Sequence, residues 1–286
     1  MTGTGSTAST GSTASTVAER RAGPLWVERA GRDGAVVVLT LALPERRNAM
    51  TEELTAAWAA TVQAVAGDRS VRAVVVTGQG SVFSAGGDLS WITAGAAGSA
   101  TADDVRARML PFYRTWLSIR ALEVPVLAAL NGHAVGAGLC LALACDLRWA
   151  TPTARLAAPF TSLGMHPGMA ATFLLPEAVG VPRAKEMLFT GRAISGEEAV
   201  AWGLLAGVVE PDALLPTVLA AADRVAAAAP VATRLTKAGF AAGPPATLEE
   251  ALRVESLAQP VTMISADLRE GLAAQREGRT PVFRGR

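Results

Sequence analysis

The sequence predicts an α/β fold. Three observations carry this. Short apolar runs of strand length alternate with helix-length segments between residues 25 and 212. Two of the strands feed directly into glycine-rich turns. Beyond Asp212 the pattern is mainly helical.

The elements follow in order. Residues 25–30 and 35–41 read as paired strands, with Gly31 to Gly34 as the turn between them. Thr51 caps a helix to residue 66, and Glu52 and Glu53 in its first turn suit the positive end of the helix dipole. Residues 71–77 form a continuous apolar run, the pattern of a strand covered on both faces. Residues 95–100 read as a loose linker, and Thr101 starts a helix to residue 122 with Asp103 and Asp104 at its head. Residues 125–130 make a further strand, 139–145 a short apolar helix, and 147–150 another strand. Ser195 and Glu198 have capping-box spacing. The helical end is expected to break at Pro230, at Gly243-Pro244-Pro245 and at Pro260.

Composition limits the function classes. The 286 residues are half apolar, enough for one large core. A net charge of +1 provides no basic field for nucleic acid. No apolar stretch is long enough to span a bilayer, and the N-terminus lacks the basic-then-apolar order of a secretory signal. Cys140 and Cys145 are too few for a disulfide framework and suit buried thiols, so a cytoplasmic setting is expected. Residues 2–16 contain only Thr, Gly, Ser and Ala; residues 1–22 are expected to form a disordered tail, with the folded part starting near Pro24. The division expected from this pattern is a core over residues 23–212 and a helical region over 213–286.

The glycine-rich turns suggest the chemistry. One is Ser84-Ala85-Gly86-Gly87-Asp88-Leu89, the other Asn131-Gly132-His133-Ala134-Val135-Gly136-Ala137-Gly138. Each follows a buried strand and precedes a helix start, where backbone N–H groups lack intrahelical partners. Two such ends aimed at one oxygen form an oxyanion hole. A single run of this kind is only a tight turn. Neither has dinucleotide or P-loop spacing.

Taken together, the runs resemble the enoyl-CoA hydratase/isomerase (crotonase) family. Further runs support the resemblance: Leu43-Pro44-Glu45-Arg46-Arg47-Asn48-Ala49-Met50, Ala144-Cys145-Asp146-Leu147-Arg148, the stretch from Gly191 to Ala199, and the end from Arg269 to Phe283. The resemblance implies a spiral of ββα units with a C-terminal helical region that mediates oligomerisation, in homotrimers or homohexamers. It implies an acyl-CoA substrate, with coenzyme A entering as part of that substrate and no separate cofactor, metal, nucleic-acid or membrane partner.

Matched residue by residue, the resemblance puts the oxyanion donors at the Gly87 and Ala137 amides. Ala49, Ala85 and Leu89 would line the coenzyme A site, with Arg46 and Arg47 near its phosphates and Lys237 a weaker candidate for them. Phe160 would line the acyl end. Hydratases of this family use two glutamates, but the matching positions hold Cys140 and Phe160, and neither moves protons as a carboxylate does. The position matching the isomerase carboxylate holds Gly168. His166, two residues earlier, remains as an acid/base candidate beside its plainer reading as a loop histidine bonded to backbone. His133 is expected to support its loop, and Asp146 to make structural hydrogen bonds. An acyl-CoA hydratase or isomerase, a non-catalytic acyl-CoA binder and an acyl-CoA hydrolase all stay open at this point.

Overall fold

The computed structural model describes residues 17–88, 93, 101–240 and 247–286. The expected tail over 2–16, the linker over 95–100, Leu89 and the Gly243-Pro244-Pro245 break lie outside the described residues.

Ten described strands form two sheets. The larger contains β1 (Leu25–Ala30), β2 (Val36–Leu41), β3 (Ala73–Gly78), β5 (Val126–Leu130), β7 (Leu147–Ala150) and β10 (Gly207–Val208), adjacent in that order. Only β1 and β2 pair antiparallel, as the turn over residues 31–34 requires; the other pairings are parallel. The smaller sheet contains β4 (Val82–Ser84), β6 (His133–Val135), β8 (Arg155–Ala157) and β9 (Ala193–Ser195). Each passage of the chain from β3 to β4, β5 to β6 and β7 to β8 therefore adds one strand to each sheet. This is the spiral the resemblance implies. The second strand of each turn is three residues long, too short to show a periodicity, so hydropathy alone does not reveal it.

The continuous apolar runs are strands buried on both faces, with alternate residues facing opposite ways. Val36, Val38, Ala73, Val75, Leu127 and Ala129 face α7 (Pro211–Ala227), which meets them with Leu214, Val218, Ala221 and Ala222. Val37, Leu39, Val74, Val76, Val126, Ala128 and Leu130 face the main core, together with α1 (Glu52–Gly67), α2 (Ala102–Leu117) and α3 (Ala137–Leu143). Helices α4 (Ala171–Val179), α5 (Val181–Thr190) and α6 (Gly196–Ala201) complete that side. The C-terminal end is α8 (Pro230–Phe240), α9 (Leu248–Met263) and α10 (Ala266–Glu277).

Several expectations are corrected. The folded part starts before Pro24: Val17 is buried, its amide donates to Asp68 Oδ2 at 2.7 Å, and Arg20 pairs with Val27 through two 2.7 Å backbone bonds. A single apolar anchor and a sheet edge suffice to fix this segment, so the tail over 1–22 is too long by residues 17–22. The boundary at 212 falls inside α7, whose buried face belongs to the core. Pro260 does not break α9; it sits in the last turn, where the helix is ending. The Thr101 helix ends at Leu117 and tightens into a 3₁₀ turn over Ser118–Ala121. Ser195 caps the Glu198 amide, but the Glu198 carboxylate pairs with Arg192 instead of closing the box.

Candidate active site

The two glycine-rich loops meet in space because β4 and β6 are parallel neighbours. Two close approaches lock them. A Cβ built on Gly86 would lie 2.6 Å from the Val135 carbonyl oxygen and 3.0 Å from the Ala137 nitrogen. One on Gly138 would lie 2.4 Å from the Ser84 carbonyl oxygen. Backbone meets backbone at both points, which only glycine permits. Gly86 also has φ +89, the left-handed region.

This packing leaves two amides unused. Met50 forms an isolated parallel bridge with Gly87, and its amide donates to the Gly86 carbonyl at 2.8 Å. A parallel bridge works through the residues flanking its centre, so the Gly87 amide takes no part in it. Ala137 opens α3, where Gly136 at the N-cap supplies no side-chain acceptor. Among the described residues, neither amide donates to a protein acceptor. Gly87 is half-buried and Ala137 buried. Ala137 keeps the donor that glycine would offer and adds one methyl group.

Two asparagines hold the loops, and sequence reasoning singled out neither. Asn48 is fully buried with φ 52, a conformation asparagine tolerates better than most side chains. Its Oδ1 accepts from the Leu43 amide at 2.9 Å, and its Nδ2 donates to Gln79 O at 3.0 Å and Val82 O at 2.7 Å. The Asn48 carbonyl accepts from Ser84 Oγ at 2.8 Å, and that hydroxyl in turn accepts from the Gly86 amide at 3.1 Å. Asn131 accepts from the Gly78 amide at 3.0 Å and donates to Gly80 O at 2.8 Å and Val82 O at 3.3 Å. The signal that could have found them is a polar amide directly beside each apolar run, where buried backbone needs a partner.

The expected coenzyme A residues gather near the first loop. Arg46 is exposed and pairs with Asp88 at 2.8 Å. Arg47 is exposed with φ 54, and its carbonyl accepts from the Ala85 amide at 2.9 Å. Ala49 and Ala85 are half-buried beside Met50 and Gly86. A cavity of about 950 Å³ opens between α1 and α2 and reaches Arg46, Met50 and Asp88, next to Gly87. Lys237 is far more engaged than a free phosphate ligand would be: it pairs with Asp146 at 2.8 Å and donates to Val124 O at 2.9 Å. Asp146 also accepts from the Val126 amide at 2.7 Å, so it is structural as expected.

At the other loop, Cys140 is buried in α3, and burial pushes its thiol up to about 12. It stays neutral through the physiological range, with Sγ 3.7 Å from the Gly168 carbonyl oxygen. Phe160 is half-buried, and its ring lies 3.8 Å from where a Gly136 Cβ would be. His166 is exposed, with Nδ1 donating to its neighbour's Pro167 carbonyl at 2.8 Å. His133 Nδ1 accepts from the Arg155 amide at 3.1 Å and so braces its loop. Glu177 is held by Arg120 through two bonds of 2.9 and 2.8 Å, and Glu123 lies 3.7 Å from Arg234.

Two backbone amides left unpartnered among the described residues on facing loops can stabilise charge on an oxygen placed between them. Residues 31–286 match the family model described as enoyl-CoA hydratase/isomerase, and the chain belongs to that family. It is 42% identical over 194 residues to a Mycobacterium tuberculosis protein named "Probable enoyl-CoA hydratase EchA14", a match covering 68% of this chain and 74% of the relative. It is 32% identical to the crotonyl-CoA hydratase of Syntrophomonas wolfei, over 88% of this chain and 95% of that one. The crystal structure of an enoyl-CoA hydratase from Bacillus anthracis superposes with a TM-score of 0.86 at 33% identity, covering 92% of this chain and all of that one (100%). Among the described residues, no single helix is long and apolar enough to cross a membrane.

Proposed function

We propose that the chain binds an acyl-CoA and stabilises the enolate of its thioester between the Gly87 and Ala137 amides. The observation that carries this reading is the pair of unpartnered amides on facing loops, one at the head of α3. Charge that develops on the thioester oxygen meets donors already fixed in place, so no reorganisation opposes it. One such donor in a comparable site contributes about 3–4 kcal/mol. Arg46 and Arg47 offer charge to the phosphates of coenzyme A, Ala49 and Ala85 line its path, and Phe160 forms an apolar wall at the acyl end. Coenzyme A arrives and leaves with the substrate.

The reaction class is hydration or double-bond isomerisation of an enoyl-CoA. A mass-spectrometric time course with saturated, 2-enoyl and 3-enoyl acyl-CoAs tests it. Gain of one water identifies a hydratase, and a displaced double bond at constant mass an isomerase. One observation favours a second reading: the neutral Cys140 and apolar Phe160 stand where the resemblance expects carboxylates. A binder without turnover returns every acyl-CoA unchanged, and a hydrolase releases free coenzyme A.

We also propose that the active form is a homo-oligomer. No side chain of helix α9 is fully buried within its own chain, while Leu248, Leu252, Leu257 and Val261 on it are exposed. The pairs Leu248/Leu252 and Leu257/Val261 lie on opposite sides of the helix, and each gains stability by docking against another chain.

A further inference from the structure

Tyr113, the chain's one tyrosine, lies half-buried on α2. Its hydroxyl packs on the backbone of Gly168: a Cβ there would lie 2.5 Å from Tyr113 Oη and 3.1 Å from Cζ. The phenol therefore occupies the space that any side chain at 168 would need. The other side of Gly168 faces α3, where its carbonyl oxygen is 3.7 Å from Cys140 Sγ. Cys140 is three residues beyond Ala137, about 4.5 Å along the helix at 1.5 Å per residue. Packing contacts thus run from Tyr113 through Gly168 to Cys140, one turn along the helix that Ala137 opens.

Within this packing, among the described residues, the hydroxyl's proton has no strong acceptor. Its nearest acceptor is the Met109 thioether at 3.9 Å, a weak one. Burial, with the Cys140 thiol adding to it, raises the phenol above its ordinary value, and the Met169 amide only partly offsets this. The phenol therefore keeps its proton at neutral pH. The other titratable group in this packing, Cys140, is neutral as well, and His166 is turned out onto Pro167. Among the described residues, no carboxylate acts on the hydroxyl.

We infer that the Tyr113 hydroxyl is the proton carrier of this site, delivering its proton to the carbon next to the thioester carbonyl of an enoyl-CoA. The inference rests on the acyl-CoA reading above. For hydration the step balances with water as the only co-reactant. Water oxygen bonds to C3, and the C2=C3 pair moves onto the thioester as an enolate held by Gly87 and Ala137. The enolate takes the Tyr113 proton at C2 as its carbonyl re-forms. The phenolate then takes the proton that the added water gives up. One water is gained, and the phenol is restored.

The test compares wild type with Tyr113→Phe, which removes only the hydroxyl. Turnover is read as gain of water by crotonyl-CoA and 2-decenoyl-CoA, and binding by calorimetry with butyryl-CoA, which has no double bond to hydrate. The expected result is a loss in kcat of about 100-fold or more, the usual contribution of a positioned acid, with KM and butyryl-CoA affinity within about threefold. If the variant keeps wild-type kcat, Tyr113 is not the carrier, while the acyl-CoA reading stands. If butyryl-CoA affinity falls as far as turnover does, the hydroxyl is structural and the inference is overturned. If wild type binds butyryl-CoA but converts neither enoyl-CoA, hydration itself fails and the inference fails with it.

Discussion

Asn48 and Asn131 donate their side-chain amides to the same oxygen, the Val82 carbonyl, at 2.7 and 3.3 Å. Val82 is the first residue of β4, so a single carbonyl fixes the strand that carries the first glycine-rich loop. Asn48 reaches it from the segment before α1, and Asn131 from the segment before β6. The two loops that hold the candidate donors are therefore registered through one acceptor with two lone pairs. Replacing either asparagine by alanine leaves buried backbone groups without partners, at a cost of about 1–3 kcal/mol. The two losses are expected to be non-additive, because the partners are shared. Denaturant unfolding of Asn48→Ala, Asn131→Ala and the double variant measures this, and strict additivity would contradict the shared lock.

Gly138 presses on the backbone of Ser84, with 2.4 Å between its would-be Cβ and the Ser84 carbonyl oxygen. Gly138→Ala must push α3 away from β4 and so move the Ala137 amide relative to that of Gly87. Donors aimed at a developing oxyanion lose their effect with small displacements, and removing one costs about 100-fold or more in rate. A fall in kcat of roughly that size, with circular dichroism unchanged, is the expected result. Unaltered kcat would mean that the loop spacing does not set the rate.

Trp58 and Trp116 stack with centroids 4.9 Å apart and 22° between their planes, both fully buried. They join α1 to α2, the walls of the large cavity, and Trp116 Nε1 also donates to Thr55 Oγ1 at 3.0 Å. Trp116→Ala should destabilise by about 3–5 kcal/mol through the void it leaves. Trp116→Phe keeps the ring contact and loses the hydrogen bond, and should cost about 1 kcal/mol for that bond. The difference is measurable by urea unfolding.

How much of this was legible follows from length scales. The strands around Val75 and Leu127 are long apolar runs, and their identity follows from hydropathy. Thr51 and Thr101 announce their helices because each cap bonds to an amide three residues on. The three-residue strands of the smaller sheet carry no periodicity of their own and are stable only beside one another. Pro260 misleads because a proline in a helix's last turn removes little that fraying has not already removed. The two donor amides could be proposed from the glycine pattern, since backbone geometry follows from Gly86 and Gly138. Tyr113 could not: it lies 55 positions from Gly168 in sequence, and only the packing of α2 against that loop brings them together.

Asp68 ties the start of the folded chain to the core. It accepts from the Val17 amide, pairs with Arg29 at 2.5 Å, and accepts from the Ser70 amide and hydroxyl. Burial works to raise its carboxyl, but the Ser70 and Val17 hydrogen bonds and Arg29 outweigh this, so it is held below the usual carboxylate value. A depressed value means that the stabilisation is fully present above the unfolded carboxylate range. It is lost as pH falls below that range and through the folded value. Residues 17–22 should therefore gain protease sensitivity in acid, below about pH 4. Asp68→Asn should show that sensitivity at neutral pH, read by limited proteolysis and mass spectrometry. Equal protection of the variant at pH 7 would count against this anchor.

Helix α9 is held in its own chain with no fully buried side chain, yet it presents Leu248, Leu252, Leu257 and Val261 at 77%, 51%, 68% and 51% exposure. Leu248 and Leu252 are one turn apart, as are Leu257 and Val261, so each pair lines up along the helix. Ile264, just beyond the helix, is 79% exposed. Burying a leucine of this kind is worth about 1.5–3 kcal/mol, so two uncovered pairs on opposite sides of the helix are a strong drive to associate. Light scattering on the purified protein should give a mass that is a multiple of the 29.3 kDa chain, with a trimer or hexamer expected from the family resemblance. Leu257→Glu with Val261→Glu places two charges in one of these pairs, and burying them against another chain is costly. That variant should shift the mass downward while leaving the far-ultraviolet dichroism of the chain intact. A wild-type protein that runs as a monomer at high concentration would remove the helix from any interface and leave its exposed apolar pairs without a role.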